Sequence, residues 1–470
     1  MRIVSSSFLF LFLPLSVLLY YLIPASKNLF YRNLFLVAIS LFFYAWGEPY
    51  YVFLLLFLML FVYIAGELID GRKNTIFAKI IIGITAALGI GVIALFRSKE
   101  GTPLGMSFFV FFAVSYVVDI YRGKCKSPGS FLHTALYLSA FFKVTQGPII
   151  EYNQFQSQIE TRHADCDMIY RGVKRFLVGL AKKALVASNL GGMAAWLFSD
   201  GIGEASVINA WIGCIACLVN TFIDFSAYTD MACGMALLFG FRLPENFNYP
   251  YIAHSVTEYW QRWHMTLIQW FKDYLYYPIT LGPSVRFRKF LLKHGVKKET
   301  AKTLQNVFVP ACVWIPTALW HGGNLNYLLW GVLNCSACVL EINRKPSKRA
   351  GSKDIGGRFY TILFLMLMVP LLLYEDTGSS LAYYGAMFGI GHHVFADVRT
   401  LFILKEYGVF IVIGLILCFP VWKHAAEYLR SKFGDNAFGI AEDTALLLLT
   451  VLSIAYVIKT GSSFFIYQMY

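Results

Sequence analysis

Long apolar runs separated by short polar connections extend along the whole chain. The runs are Phe8–Ile23, Leu34–Trp46, Tyr51–Ala65, Thr75–Phe96, Pro103–Val118, Leu132–Phe142, Val207–Ile223, Val307–Trp320, Tyr327–Leu340, Phe359–Leu373, Tyr407–Val421 and Thr444–Ile458. Several of them are shorter than the roughly 20 residues that a helix needs to cross a bilayer. The pattern predicts an all-α, polytopic integral membrane protein with about ten to twelve transmembrane helices, plus shorter re-entrant or interfacial helices.

The composition agrees with a membrane setting. Hydrophobic residues make up 58% of the 470 residues and charged residues only 14%, whereas soluble domains carry about 25% charge. The longest polar stretches are Glu151–Lys183, Arg286–Gln305 and Arg344–Arg358, and none is long enough to bury a core of its own. We therefore predict one membrane domain over residues 1–470.

The net charge of +13 does not require a nucleic acid partner. Lys and Arg cluster in the short connections, as expected of loops that stay on the inner side of a membrane. Alternating the first six segments places the loops that carry Lys27, Arg72 and Arg122 on one side, which favours an external N-terminus. The sequence thus predicts a multi-pass protein of the cell (inner or plasma) membrane.

Two cysteine pairs have a spacing that would suggest zinc or redox chemistry in a soluble protein. Both Cys214-x-x-Cys217 and Cys335-x-x-Cys338 lie inside apolar runs, and no histidine-rich metal motif accompanies them. Free cysteines are readily buried. We interpret these residues as buried thiols in helices and predict no metal site.

The segment from Glu258 to Pro278 places charged and aromatic residues together in this apolar chain. At helical spacing it separates into an apolar stripe of Trp260, His264, Leu267, Phe271 and Tyr274 and a polar stripe of Glu258, Arg262, Thr266, Gln269 and Asp273. The pattern predicts an amphipathic helix at headgroup level that ends at Pro278. Glu258 should meet Arg262, and Gln269 should meet Asp273, across one turn. A histidine on an apolar stripe is more often a hydrogen-bonded core residue than a catalyst.

His321 is the stronger candidate for chemistry. Pro316 should disturb the preceding helix, and Gly322-Gly323-Asn324 follows, which predicts an irregular break at membrane depth. Irregular backbone is tolerated there only where it is buried in protein or lines a cavity. An imidazole in a cavity can take a proton from a hydroxyl. A catalytic or ion-relay role and a structural, hydrogen-bonded role both remain open on these grounds.

The same motifs carry a family resemblance. Tyr259–Pro278 and Leu319–Gly323 occur together with Pro103–Phe108, Ser115–Gly123, Gln146–Ile150, Arg171–Lys183, Asp224–Met231 and Gly240–Tyr251. In this order the segments resemble the membrane-bound O-acyltransferase family, in its bacterial alginate O-acetyltransferase branch, over essentially the whole chain. The resemblance implies helices around a central funnel and a catalytic core at about residues 103–342.

The resemblance also implies roles for individual residues. His321 matches the essential histidine and His264 a second active-site position, so both are candidate catalytic residues. The candidate substrate-binding residues are Trp260, Arg262, Trp263, Asp273, Trp320, Gly322 and Asn324. We further expect the amides near Gly322 and Gly323 to stabilise an oxyanion. No metal and no cofactor are expected, because the acyl donor, acetyl-CoA or a carrier-bound acyl thioester, is a substrate.

The function that this resemblance implies is transfer of an acyl group, most simply acetyl, from a cytoplasmic thioester across the membrane. The acceptor would be a hydroxyl of an exported or cell-envelope polysaccharide, reached through an extracytoplasmic partner protein. One alternative is aminoacyl transfer of the D-alanyl type from a carrier protein to an envelope polymer. A transporter without covalent chemistry is a third hypothesis, which the absence of an internal repeat weakens.

Overall fold

The computed structural model describes residues 3–24, 29–97, 103–199, 205–342 and 354–460, and the regular secondary structure in these ranges is helical. The first helices are α1 (Leu13–Leu22), α2 (Phe30–Gly47), α3 (Tyr51–Asp70), α4 (Ile76–Arg97), α5 (Met106–Arg122), α6 (Phe131–Ser139), α7 (Tyr152–Thr161) and α8 (Cys166–Ala181). The chain continues with α9 (Ser188–Ser199), α10 (Val207–Leu238), α11 (Val256–Arg262), α12 (Met265–Phe271), α13 (Tyr277–Leu281), α14 (Pro283–Lys293), α15 (Lys298–His321), α16 (Leu325–Ile342), α17 (Ile355–Leu373), α18 (Thr377–Phe388), α19 (Val398–Cys418), α20 (Val421–Phe433) and α21 (Asp435–Thr460). The prediction of an all-α protein is confirmed.

Within the described ranges, eight helices are long and apolar enough to cross a membrane, namely α2, α3, α4, α10, α16, α17, α19 and α21. The sequence pattern predicted about ten to twelve spans. The run Leu132–Phe142 forms only the nine-residue helix α6, because the chain turns after Ser139. The run Val307–Trp320 belongs to α15, whose first part is polar. Lys27 and most of the stretch Arg344–Arg358 lie outside the described residues.

The long helices expose large apolar side chains along much of their length. On α19, for example, Leu401, Val409 and Val412 are each more than half exposed. Soluble proteins rarely expose apolar patches of this extent, whereas lipid tails solvate such surfaces. The apolar runs therefore form the surfaces expected of a multi-pass membrane protein.

The described chain divides into two compact units. The first contains residues 3–24, 29–97, 103–181, 227–245 and 446–460. It contains a cluster of buried tyrosines, in which the rings of Tyr116 and Tyr137 pack against that of Tyr152 at 4.8 and 5.1 Å between centroids. Helix α3 passes close to this cluster because Gly66 has no side chain: a Cβ there would lie 2.5 Å from the ring of Tyr116.

The second unit contains residues 182–199, 205–226, 246–342 and 354–445, and therefore both candidate histidines. Its central feature for the site is the hairpin of α15 and α16. The two helices approach closely at Gly331, where a Cβ would lie 2.7 Å from the Cβ of Ala318. Since only glycine allows this approach, Gly331 fixes the end of α15, where His321 lies, against α16.

The cysteines of the two Cys-x-x-Cys motifs are all buried within helices. Cys214 and Cys217 lie in α10, and Cys335 and Cys338 lie in α16. Among the described residues, no group of three or more histidine, cysteine, aspartate or glutamate side chains is arranged to hold a metal ion. The four cysteines thus pack as small apolar residues.

Candidate active site

The segment around His264 is not the single amphipathic helix that the periodicity predicted. Helix α11 ends at Arg262, α12 begins at Met265, and a π-helical turn Lys272–Tyr276 leads into α13. His264 lies between α11 and α12 with φ +44° and ψ +50°, in the left-handed region. The predicted apolar stripe through His264 and the predicted end at Pro278 are therefore wrong, since Pro278 lies in the first turn of α13.

Hydrogen bonds from a distant segment explain the break. The backbone N–H of Met265 donates to the carbonyl oxygen of Asn246 at 2.9 Å, and the N–H of Asn248 donates to the carbonyl oxygen of Arg262 at 3.0 Å. In a continuous helix these groups would bond to the neighbouring turns. Because the segment at Asn246 bonds to them instead, these two backbone groups keep partners where the chain turns at His264.

His264 is buried, with 5% of its surface exposed. Its Nδ1 lies 3.0 Å from Oδ1 of Asn246. The ring of Phe225 on α10 packs edge-to-face against the imidazole, with 4.8 Å between centroids. His264 lies outside the eight candidate spans, and burial, together with the charge of His321, lowers its pKa to about 3. His264 is therefore a neutral imidazole at physiological pH, and a charge on His321 makes its protonation still less favourable.

The two polar contacts predicted across one turn are confirmed. Nε of Arg262 donates to Oε1 of Glu258 at 2.9 Å, and Nε2 of Gln269 donates to Oδ2 of Asp273 at 2.8 Å. Arg262 also donates through Nη1 to the carbonyl oxygen of Asn248 at 3.2 Å. Arg262 thus fixes the end of α11, while Asp273 lies half-buried in the π-helical turn.

His321 is the last residue of α15. This helix continues through Pro310 and Pro316, so the disturbance predicted at Pro316 does not end it; the break comes after His321. The imidazole is partly exposed and packs against the rings of Trp320, Tyr327 and Trp330 at 4.6, 6.1 and 5.2 Å between centroids. The aromatic rings hold the imidazole of His321 in position while part of its surface stays exposed.

The glycines after His321 form the predicted break, but their amides are already engaged. The N–H groups of Gly322 and Gly323 both point to the carbonyl oxygen of Ala318, at 3.2 and 3.4 Å. The expectation that these amides hold an oxyanion is therefore wrong for this conformation. Asn324 caps α16 through Oδ1, which accepts from the N–H of Tyr327 at 2.9 Å.

Tryptophans connect the His264 segment with His321. The ring of Trp260 packs against those of Trp314 and Trp330 at 5.1 and 5.9 Å, and its Nε1 donates to Oδ1 of Asn334 at 3.0 Å. Trp330 in turn contacts His321. Trp263 is buried and points elsewhere, packing on Phe247 at 5.1 Å. Of the candidate substrate-binding residues, Trp260 and Trp320 thus border the surroundings of His321, whereas Trp263 packs near His264.

Comparison with known proteins identifies the family. The profile of the membrane-bound O-acyltransferase family matches residues 104–343. The probable alginate O-acetylase AlgI of Azotobacter vinelandii is 31% identical over 84% of this chain and 79% of its own length. The chain belongs to the membrane-bound O-acyltransferase family.

Other relatives of this O-acyltransferase carry different names. The peptidoglycan O-acetyltransferase of Helicobacter pylori is 27% identical over 72% of this chain and 70% of its own length. The teichoic acid D-alanyltransferase of Bacillus subtilis is 26% identical over 49% of this chain and 56% of its own length. The protein is thus an acyltransferase, and the transporter hypothesis is set aside.

Two residues of this O-acyltransferase site, Asn246 and Asn334, were not among the sequence-based candidates. Asn246 lies inside the segment Gly240–Tyr251 that carries part of the resemblance, but the sequence assigns it no role. Asn334 is a polar residue in the apolar run of α16 and is 1% exposed. A polar side chain in a membrane helix is a signal of a specific partner, and here that partner is Trp260.

Replacing Gly322 with alanine should impair transfer by this O-acyltransferase more than it impairs folding. A Cβ at Gly322 would lie 1.9 Å from Cδ2 of Tyr327, the ring that stacks on His321. Tyr327 must move, which should lower the free energy of unfolding by about 1–3 kcal/mol. His321 then loses its stacking contact with the Tyr327 ring. Acyl transfer and thermal unfolding measured in detergent on Gly322→Ala would check this. Gly192→Ala, where a Cβ meets no atom within 4 Å, is the control; equal activity of both variants would contradict the prediction.

Proposed function

We propose that this protein transfers an acetyl group from a cytoplasmic thioester to a hydroxyl of an exported or cell-envelope polysaccharide. The observation that carries the proposal is the pair of histidines: His321 is partly exposed and packed among aromatic rings, and His264 is buried and neutral, with the charge of His321 contributing to its low pKa. The relative from Azotobacter vinelandii, 31% identical over 84% of this chain, is named a probable alginate O-acetylase, which supports an acetyl group and a polysaccharide acceptor.

In the proposed reaction, His321 accepts the proton of the attacking hydroxyl. The hydroxyl oxygen then forms a bond to the thioester carbonyl carbon, and the carbon–sulfur bond breaks in a second step. The thiolate that leaves takes the proton from the His321 imidazolium, so the reaction yields an ester and a thiol. A positioned general base of this kind contributes about 100- to 10,000-fold to a rate. His264 is kept neutral, which leaves His321 as the residue that carries the transient charge.

The same proposal implies a cellular location and a partner protein. The protein would lie in the inner or plasma membrane, with the thioester on one side and the polymer on the other. An extracytoplasmic partner protein would complete delivery to the sugar hydroxyls. D-alanyl transfer from a carrier protein is the second candidate, favoured by the match to a teichoic acid D-alanyltransferase, although that match covers only 49% of this chain.

Donor identity can be tested with the purified protein in lipid vesicles that also contain membranes of the source cell. We expect label from radioactive acetyl-CoA to reach a polymer or a partner protein, and label from a carrier protein charged with D-alanine not to do so. The physical reason is that an active site accepts the acyl group for which its pocket has complementary contacts. Transfer from the charged carrier alone would overturn the acetyl assignment and establish the second candidate.

A further inference from the structure

One buried amide oxygen collects three hydrogen-bond donors beside His264. Oδ1 of Asn246 lies 3.0 Å from Nδ1 of His264, 2.9 Å from Oγ1 of Thr266 and 3.3 Å from the backbone N of Thr266. Asn246 is 2% exposed and His264 is 5% exposed. The three contacts are therefore shielded from water, which would otherwise compete for them.

The contact with Thr266 determines the orientation of the Asn246 side-chain amide, that is, which of its two atoms is the oxygen. A backbone N–H can only donate, so the atom of Asn246 that faces it must be the acceptor, Oδ1. Turning the amide over would place its NH₂ group against that N–H and against the histidine. Because Oδ1 faces His264 and cannot donate, the hydrogen in this contact must belong to Nδ1 of His264. The lone pair of the neutral imidazole is then on Nε2.

The other half of the same amide supports this interpretation. Nδ2 of Asn246 is buried and has no hydrogen-bond partner among the described residues. An unsatisfied buried donor costs about 1–3 kcal/mol. An apolar residue at this position would avoid that cost, but it would also remove the acceptor for Nδ1. The contribution of Asn246 to the site is therefore its acceptor, Oδ1, and not its donor, Nδ2.

The backbone holds the imidazole in the same position. His264 has a left-handed conformation, and the carbonyl oxygen of Asn246 accepts from the N–H of the next residue, Met265, at 2.9 Å. The ring of Phe225 closes one side of the imidazole. Asn246 therefore contacts the imidazole of His264 through its side chain and the backbone of Met265 through its carbonyl group. One residue thus sets both the position and the tautomer of His264.

We propose that Asn246 is a positioning residue for acyl transfer, which holds the imidazole of His264 in one orientation and as the Nδ1–H tautomer. His321 alone removes the proton of the attacking hydroxyl, and the fixed, neutral imidazole of His264 keeps the electrostatic surroundings of His321 constant. This inference rests on the proposed function, and it adds a residue that neither touches substrate nor titrates. Without Asn246 the imidazole of His264 can rotate or exchange tautomers, and the surroundings of His321 lose their fixed geometry.

The test compares three variants with the wild type. Asn246→Leu removes the acceptor at similar size, and Asn246→Asp keeps both the shape and an acceptor oxygen. The matched control, Asn248→Leu, changes an exposed side chain two residues away, whose segment contacts α11 through its backbone. The tautomer of His264 is read by ¹⁵N-histidine NMR of the full chain, with its signals assigned by their loss in His264→Asn. Transfer is measured as kcat and KM with acetyl-CoA.

We expect wild type and Asn246→Asp to carry the hydrogen on Nδ1, and Asn246→Leu to lose this preference. Asn246→Leu should lose about 100-fold in kcat with little change in KM, Asn246→Asp should recover a large part of the rate, and Asn248→Leu should match the wild type. A hydrogen on Nε2 in the wild type would overturn the proposal, even where Asn246→Leu does not fold.

Failure of this inference can be told apart from failure of the proposed function. Transfer that survives in Asn246→Leu, with the tautomer changed, overturns the positioning role and leaves the acyltransferase chemistry intact. A wild-type protein that shows the Nδ1–H tautomer but transfers no acyl group from acetyl-CoA or from a charged carrier protein overturns the proposed function and, with it, this role.

Discussion

Replacing His321 with alanine should reduce acyl transfer at least about 100-fold, the lower end of the contribution of a general base. The variant should still fold and insert, because His321 is the partly exposed last residue of α15 and alanine suits a helix end. Its ring contacts with Trp320 and Trp330 are lost, but those tryptophans keep their own packing. The measurement is transfer of radioactive acetyl groups by wild type and variant in lipid vesicles.

A second histidine provides the control for this experiment. His424 on α20 has 71% of its side chain exposed and lies outside the site, so His424→Ala should transfer at the wild-type rate. Thermal unfolding of both variants in detergent should resemble that of the wild type. Wild-type transfer by His321→Ala would show that the proton is removed by another group and would refute the proposed mechanism.

Replacing Lys183 with methionine should destabilise the protein by about 3–5 kcal/mol, the usual effect of breaking a buried ion pair. Nζ of Lys183 donates to Oδ1 of Asp224 at 2.6 Å, and their side chains are 4% and 2% exposed. Asp224 lies on α10, a candidate span, where water cannot solvate a carboxylate that has lost this partner. Phe225, which packs on His264, is the next residue, so transfer should fall as well.

Two further variants test whether the destabilisation comes from the charge of Asp224 after Lys183 has been replaced. Lys182→Met changes the less buried neighbour in the same π-helical turn and should have a small effect. Combining Lys183→Met with Asp224→Asn removes the charge and should recover much of the thermal stability in detergent. If the double variant is no more stable than Lys183→Met, the ion pair is not the reason for the loss.

The fold class followed from the sequence because membrane helices are encoded locally. Each apolar run must satisfy its own backbone hydrogen bonds in lipid, so a run of sufficient length predicts a helix by itself. The contact of Glu258 with Arg262 was predictable for the same reason, since both residues lie on one helix four positions apart. Burial of the cysteines of α10 and α16 also followed directly from the apolar runs that contain them.

The geometry of the site was not predictable in this way. The break at His264 depends on Asn246, which is 18 residues away along the chain, and helical periodicity contains no information about such a contact. Pro316 removes a hydrogen bond and crowds the preceding turn, yet α15 continues to His321. Ala318 packs closely on Gly331 beyond the proline, a contact that the local sequence does not encode. The resemblance pointed to the two histidines, while their arrangement came from tertiary contacts.

The left-handed backbone conformation at position 264 restricts which amino acids the chain can carry there. Histidine, asparagine and aspartate are the side-chain-bearing residues that adopt this conformation most readily, whereas β-branched residues are strongly disfavoured. A valine or isoleucine at this position would lose activity because the backbone is forced to change, whatever the imidazole does. Substitution by asparagine leaves the backbone unchanged, so it separates the contribution of the imidazole from that of the turn.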